Sequence, residues 1–363
     1  MKPQHSIVNP ALKLALRVLV TPMLASALVH FGAHANELRV LVHSSFALPK
    51  PLLAQFEADV GVKLAVIKAG DAGEMLNKLI LTRAQPIADM VFGLDNALIG
   101  KAAAANVLDR YRGPATERGS SLPRSIFLTD PKADAAPMLL VPVTYGFVTI
   151  NYDRAWFDKN KLLLPKTLAD LAQPAYRNLL AVQNPATSSP GNAFMLATIA
   201  GLGEEPAFSW WAQMRANGVK VSKGWSEAYY TEFTRNGGTR PLVVSYASSP
   251  AAEVFYSKEK ISEPPTGSLA LKGGVFKQVE GVALVKGGAQ REAAQKFIEF
   301  LRSTPVQQAM QTEMWMFPVE PGVARADAMR HAVEPATFDN PTPEVIAAKA
   351  LGWVSRWTRV VLK

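Results

Sequence analysis

The sequence predicts a two-lobed α/β protein, and three observations carry that expectation. A regular strand–helix–strand–helix–strand run follows residue 37. Past residue 139 the pattern changes to one long strand-like stretch and several shorter ones, which implies a second folding unit. The C-terminal part is then mostly helical. With 363 residues, 48% hydrophobic and 19% charged, the chain is long enough for two cores, since domains usually hold ~100–200 residues.

The first 35 residues stand apart. They carry Lys2, Lys13 and Arg17 without an acidic residue, then an apolar stretch at 18–28, and they end in Ala33-His34-Ala35. A basic start, a short apolar stretch and an Ala-x-Ala site define a secretory signal peptide, with cleavage expected near Ala35. The stretch is short for a bilayer core of ~30 Å, and no later segment is long and apolar enough to span one.

The elements then follow in order. Residues 38–43 read as a strand, and 51–60 as an amphipathic helix opened by Pro51 and stopped by Gly61. A strand at 62–67, a helix at 73–83 and a strand at 88–92, broken at Gly93-Leu94-Asp95-Asn96, lead to a helix at 97–107. Crossovers of this kind build parallel sheets with right-handed connections. The stretch 139–151 is a long strand interrupted by Pro142 and Gly146. Strands at 179–182, 218–222 and 242–246 alternate with helices that begin near Ser188 and at 226–235. Helices at 291–302, 305–314 and 343–361 complete the chain. Crossings between the lobes are expected near 141–146 and 246–250. Lobe 1 then comprises 36–142 and 250–363, and lobe 2 comprises 143–249.

Composition narrows the function. Without cysteine there is no disulfide and no lipid-carrying thiol, so a soluble exported protein stabilised by its core alone is expected. The formal charge of +9 becomes 9 − 3 = +6 once the leader is removed. The basic residues form no stripe or block, which argues against nucleic acid as a partner. His43 and His331 are the histidines outside the leader, which restricts metal and acid–base chemistry. No metal site, cofactor or catalytic residue is expected.

In open α/β sheets ligands sit beyond the carboxyl ends of strands. The strand ends here carry His43-Ser44-Ser45, Asp95, Thr144-Tyr145-Gly146, the Thr187-Ser188-Ser189-Pro190-Gly191 loop, Lys223-Gly224-Trp225 and Tyr246-Ala247-Ser248. The serine-proline loop is a helix start whose free N–H groups suit an anion, or it caps a helix and nothing more. Asp95 either caps the helix after it or faces a cationic ligand. Trp225 precedes Ser226, read as an N-cap, and would staple to Tyr230. Gly224-Trp225-Ser226-Glu227-Ala228 also approaches a nucleophile elbow, with Asp327 and His331 following in the order of a triad. Ala228 replaces the second glycine, and Asp327 and His331 sit at helical spacing, which favours a surface pair over a hydrolase. Trp315 is a core or cleft residue, and Trp353 and Trp357 are packing residues.

Five strings occur in one order: GLDN at 93–96, TSSPG at 187–191, SKGWSEAY at 222–229, VSYASSP at 244–250 and WMFPV at 315–319. Together they resemble the thiamine-binding periplasmic proteins of bacterial ABC importers, along nearly the whole mature chain. The resemblance implies a type 2 periplasmic binding protein fold, two lobes joined by two crossing segments and closing by a hinge around the ligand. It implies no covalent chemistry, a monomer in the periplasm, and delivery to a membrane permease driven by an ATPase. Ligand contacts are expected from Ser44, Ser45, Asp95, Tyr145, Ser188, Ser189, Gly191, Trp225, Tyr246, Ser248 and Trp315. A thiazolium over an aromatic face would gain roughly 0.5–2 kcal/mol. Asp95 would offset its charge, and a phosphate would go to the helix start after Ser188. The chain departs from the family at His43-Ser44-Ser45-Phe46, where Tyr-Asp-Ser-Phe and a nearby tryptophan are usual, and at Thr144, where aspartate is usual. A less acidic cleft would shift preference toward phosphorylated thiamine or a related heterocycle. The competing expectation is a ferric-ion or small-anion carrier of the same architecture using His43, Tyr229 and Tyr230, although adjacent helical residues point about 100° apart.

Overall fold

The alternating run at the start folds as its periodicity predicts. A computed structural model describes residues 36–118, 122 and 138–363; the expected leader lies outside them. β1 (Glu37–Val42), β2 (Lys63–Lys68) and β3 (Met90–Asp95) form a parallel block with β1 in the centre. The helix Lys50–Val60 between β1 and β2 ends at Gly61, whose φ of 73° is the left-handed stop that glycine adopts without strain. β3 runs through Gly93 instead of stopping there, and all six of its residues are buried.

β4 (Leu108–Asp109) leads to β5 (Val141–Asp153), the long strand expected from the sequence. A second parallel block comprises β6 (Leu180–Gln183), β7 (Lys220–Ser222) and β8 (Leu242–Tyr246), with β6 in the centre. Three further strands complete the sheet: β9 (Thr266–Leu269), β10 (Phe276–Val285) and β11 (Phe317–Pro318).

The strand order is β2-β1-β3-β10-β5-β8-β6-β7, so antiparallel β10 and β5 join the two parallel blocks. The first half of β5 pairs with β10 from Val141 to Val148, and its second half pairs with β8 from Val148 to Tyr152. One strand therefore serves both halves. The fold is the two-lobed type 2 periplasmic binding protein architecture.

Hydrophobic cores cover the two halves separately. On the β1–β3 side, Leu38, Val40 and Phe92 pack with Phe297 on one face, while Leu41, Val91 and Leu94 pack with Met75 and Leu76 on the other. On the β6–β8 side, Leu180, Val182 and Val244 pack with Phe194 and Trp211, and the opposite face is closed by Tyr229 and Phe233. The final helix, Pro343–Trp357, touches both halves: Trp357 meets Trp211 edge-on at 5.3 Å with both rings buried, while Ala347 lies against Gly100 of the helix Ile99–Ala104.

The chain between Ser222 and Leu242 is less regular than the single helix expected. A short helical turn, Trp225–Glu227, runs into π-helix at Ala228–Glu232 and a 3₁₀ turn at Thr234–Asn236. Widened turns of this kind are frequent at functional sites.

Candidate functional site

A cavity of about 380 Å³ opens where the two parallel blocks face each other, within the ~300–1,000 Å³ usual for small-molecule sites. The chain after β1 brings His43 and Ser45 to it, and the start of the helix Ala72–Leu81 brings Asp71. From the second half come Ser189, Trp225, Tyr229, Tyr246 and Ser248. The joining strand β10 supplies Gln278 and Glu280 from its middle, and the segment before β11 supplies Trp315.

The aromatic walls are held in fixed positions. Trp225 stacks on Tyr229, with centroids 5.1 Å apart and planes 20° apart, and meets Tyr230 edge-on at 5.4 Å. Its indole N–H donates to Ser245 Oγ at 2.8 Å. Trp315 lies edge-on to Phe255 and Tyr256 at 5.3 and 5.6 Å. Its φ of 57° lies in the left-handed region, a strained backbone of the sort that clusters at ligand clamps. Besides His43 Nε2, which lies in ionic contact with Glu280 without a well-formed hydrogen bond, three buried polar atoms on the lining have no partner in the protein: Ser248 Oγ, Gln278 Oε1 and Trp315 Nε1. Buried polar atoms are normally satisfied, so these three are placed to meet a bound molecule or water.

The electrostatics are acidic. Asp71, Glu253 and Glu280 line the cavity, and among the described residues no lysine or arginine does. Glu280 is nearly buried. Its Oε1 lies 2.9 Å from His43 Nε2, and its Oε2 accepts from Thr144 Oγ1 at 3.2 Å. Burial opposes a charge on His43, but the attraction and hydrogen bond of Glu280, with Asp71 beyond, raise its pKa overall. Thr144 and Glu280 are register partners on β5 and β10. The acid not found at Thr144 therefore stands directly across from it.

The predicted residues divide into three groups. Ser45, Ser189, Trp225, Tyr246, Ser248 and Trp315 line the cavity. Ser44 lies on a shallower depression beside it, shared with Lys223 and Ser226. Asp95, Tyr145, Ser188 and Gly191 are not on the lining.

Asp95 is fully buried and accepts from the N–H groups of Ala97 and Leu98, both at 2.9 Å, as well as from Ser189 Oγ. It caps a turn and does not face a ligand. Burial, with the charges of Glu280 and Asp71 added, pushes its carboxyl up to about 7 despite those two N–H donors. Tyr145 points to the other face of β5, where its hydroxyl donates to Glu334 at 3.0 Å. Strand neighbours alternate faces, so Thr144 and Gly146 point toward the ligand side and Tyr145 away from it. Ser188 is buried at the start of the helix Ser189–Leu202, and Gly191 is glycine for contact: a Cβ there would lie 2.5 Å from the Gln183 carbonyl. Ser226 is not the cap of its turn. Gly224 occupies that position, and Asp71 Oδ2 accepts the Trp225 N–H at 3.0 Å from the opposite half.

Sequence reasoning missed Asp71, Glu253, Gln278 and Glu280. β10 was not recognised as a strand because Lys277, Gln278 and Glu280 interrupt its apolar run. The available signal was the period: Gln278 and Glu280 are two apart, a polar face on an otherwise apolar strand.

The alternative chemistries find little support. Neither histidine among the described residues bonds Ser226; His43 engages Glu280, and His331 Nε2 accepts from Arg330 at 3.1 Å. The Tyr229 phenol donates to Glu253 at 2.8 Å, and burial together with that carboxylate raises its pKa well above the ordinary phenol value. A ferric site needs the phenolate. Among the described residues no three His, Asp or Glu side chains are grouped to hold a metal ion, and no helix is long and apolar enough to cross a membrane.

Comparison with known proteins adds an independent finding. Residues 85–351 match the family described as bacterial extracellular solute-binding protein. The thiamine-binding periplasmic protein of Salmonella typhimurium is 33% identical over 328 residues, covering 89% of this chain and 93% of that one. A solved periplasmic thiamin binding protein superposes with a TM-score of 0.76 at 30% identity, covering 91% and 98% of the two chains. A ferric binding protein from Campylobacter jejuni, 18% identical, superposes at 0.70 over 89% of this chain and 99% of its own, and shares the fold.

Proposed function

The chain belongs to the bacterial extracellular solute-binding proteins, and we propose that it is the periplasmic receptor of an ABC importer that captures thiamine. The observation that carries this reading is the lining itself: fixed aromatic faces at Trp225, Tyr246 and Trp315 around a cavity with three carboxylates and no lysine or arginine. Thiamine is a flat thiazolium cation joined to an aminopyrimidine. A cation against an aromatic face gains about 0.5–2 kcal/mol, and more where water is excluded. The unpaired Gln278 Oε1 can accept from the exocyclic amine, and Ser248 Oγ and Trp315 Nε1 can serve the remaining polar atoms. In this reading the lobes are 36–142 with 250–363, and 143–249, and the last helix packs against both. The ligand is released unaltered to a permease and its ATPase when the lobes part. The leader is removed near Ala35.

The cavity favours thiamine itself over its phosphate esters. The sequence suggested the reverse, on the premise of a cleft short of acid, but Asp71, Glu253 and Glu280 restore the acid. The helix start meant for phosphate already holds the Asp95 carboxyl through Ser189. Calorimetry of the mature protein with thiamine and its mono- and diphosphate tests this. The expected order is thiamine tightest and diphosphate weakest; absence of thiamine binding overturns the reading.

A further inference from the structure

His43 occupies a built slot. Its ring lies against Gly93 of β3, where φ is 101° and a Cβ would collide with His43 Cδ2, so only glycine admits the imidazole here. Phe92 stands beside the ring, with centroids 6.1 Å apart. The slot sets Nε2 2.9 Å from Glu280 Oε1, and both residues line the cavity. A carboxylate inside an acidic cavity thus has a cation of the protein's own beside it. Resting on the reading that the cavity takes a cation, we propose that Glu280 is the counter-ion of the bound ligand and that His43 fills this role in the empty protein, so that loading the cation expels a proton from His43.

The chemistry balances without a further reactant. The incoming thiazolium brings one positive charge next to Glu280, His43 gives its proton to solvent, and the local net charge is unchanged. The neutral ring keeps its place, because the slot against Gly93 and Phe92 holds it. The groups facing the pair set the direction. Glu280 and Asp71 favour the imidazolium, Lys68 at the end of β2 opposes it, and burial opposes it too, leaving the empty-state pKa raised. The nearby Asp95 carboxyl and Tyr246 phenol respond to the same two acids. A second cation against Glu280 acts as Lys68 does, and lowers the pKa of His43 on loading.

Linkage makes this measurable: affinity rises with pH by up to tenfold per pH unit for each proton released, and levels off above the empty-state pKa. Thiamine calorimetry at pH 5.5–8.5, in buffers of different ionisation enthalpy, counts the protons. The wild type is expected to release up to one proton more than His43→Asn, and any contribution of Asp95 is common to both. Should that variant fail to fold, NMR titration of the wild type decides, because the mature chain holds two histidines. Thiamine should move the His43 midpoint down and leave His331 in place. Thiamine binding with proton release undiminished in His43→Asn, or with an unmoved His43 midpoint, overturns the proposal while leaving the cavity's cargo intact. No thiamine binding at any pH removes both.

Discussion

Replacing Asp71 separates holding a helix from holding the two halves together. Its Oδ1 accepts the Ala72 N–H at 2.8 Å at the start of the helix Ala72–Leu81, and its Oδ2 accepts the Trp225 N–H at 3.0 Å from the opposite half. Glu74, one turn on, repeats the pattern: its N–H donates to the Thr187 carbonyl at 3.0 Å, and its carboxylate pairs with Lys223 at 2.7 Å. Asp71→Ala removes a cap worth about 1 kcal/mol of stability. It also removes a backbone bond to a charged acceptor, worth ~1.5–3 kcal/mol. If the second bond exists only with the cleft shut, its loss falls on ligand affinity, roughly 10- to 150-fold. Asp71→Asn is the sharper variant. Asparagine caps as well as aspartate, so stability should be retained. Its single carbonyl oxygen cannot serve both N–H groups as an anion does, so a loss of about 1 kcal/mol, near fivefold in affinity, is expected. Thermal melts and calorimetry with thiamine measure the two quantities. If both variants bind as tightly as wild type while Asp71→Ala melts lower, Asp71 is a helix cap only and the clasp is wrong.

Two further substitutions probe β3, off the cavity lining. Gly93→Ala places a methyl on the His43 ring at a φ of 101°; a stability loss of at least about 1–2 kcal/mol is expected from the backbone alone, and an unchanged melt refutes the slot. Asp95→Asn tests the buried carboxyl. Its folded pKa of about 7 stands above the unfolded value near 3.8, so the protonated form stabilises the fold at low pH, and that contribution is lost as pH rises from about 4 to 7. The gap of about 7 − 3.8 ≈ 3 units, at about 1.4 kcal/mol each, bounds the effect near 4 kcal/mol. Asp95→Asn should therefore gain on the wild type in urea melts between pH 4 and pH 8, and parallel pH profiles would contradict it.

The first parallel block was legible because its strands and helices differ in period, and Gly61 marks a stop in the left-handed region. The second block was read strand by strand for the same reason, and Trp225, Tyr246, Ser248 and Trp315, singled out at its strand ends and before β11, line the cavity. The helix expected at 226–235 came out as mixed turns. Trp225, Tyr229 and Tyr230 must share one corner, and regular 3.6-residue spacing does not place all three there.

The acid was misplaced for a reason belonging to this fold. The rule that ligands gather at the carboxyl ends of strands holds for each parallel block, and it found His43, Trp225 and Tyr246. It is silent about strands that join the blocks, because those pass beneath the ligand and present their middles. β5 and β10 do this, and along them the useful variable is which face a residue takes. Tyr145 was chosen on β5 by position, yet its neighbours Thr144 and Gly146 face the ligand side, and the cross-strand partner of Thr144 is Glu280. A one-residue error in face moves a side chain to the opposite surface of the sheet. Asp95, at a true strand end, failed for a different reason: β3 continues past Gly93 and carries the carboxyl into the turn before the next helix, where the N–H groups of Ala97 and Leu98 take it up. An acid held in the interior by two backbone donors and a serine, off the cavity lining, does not reach across the cleft. The carboxylate that faces the cavity from the joining strands is therefore Glu280, whose partner His43 stays in its slot.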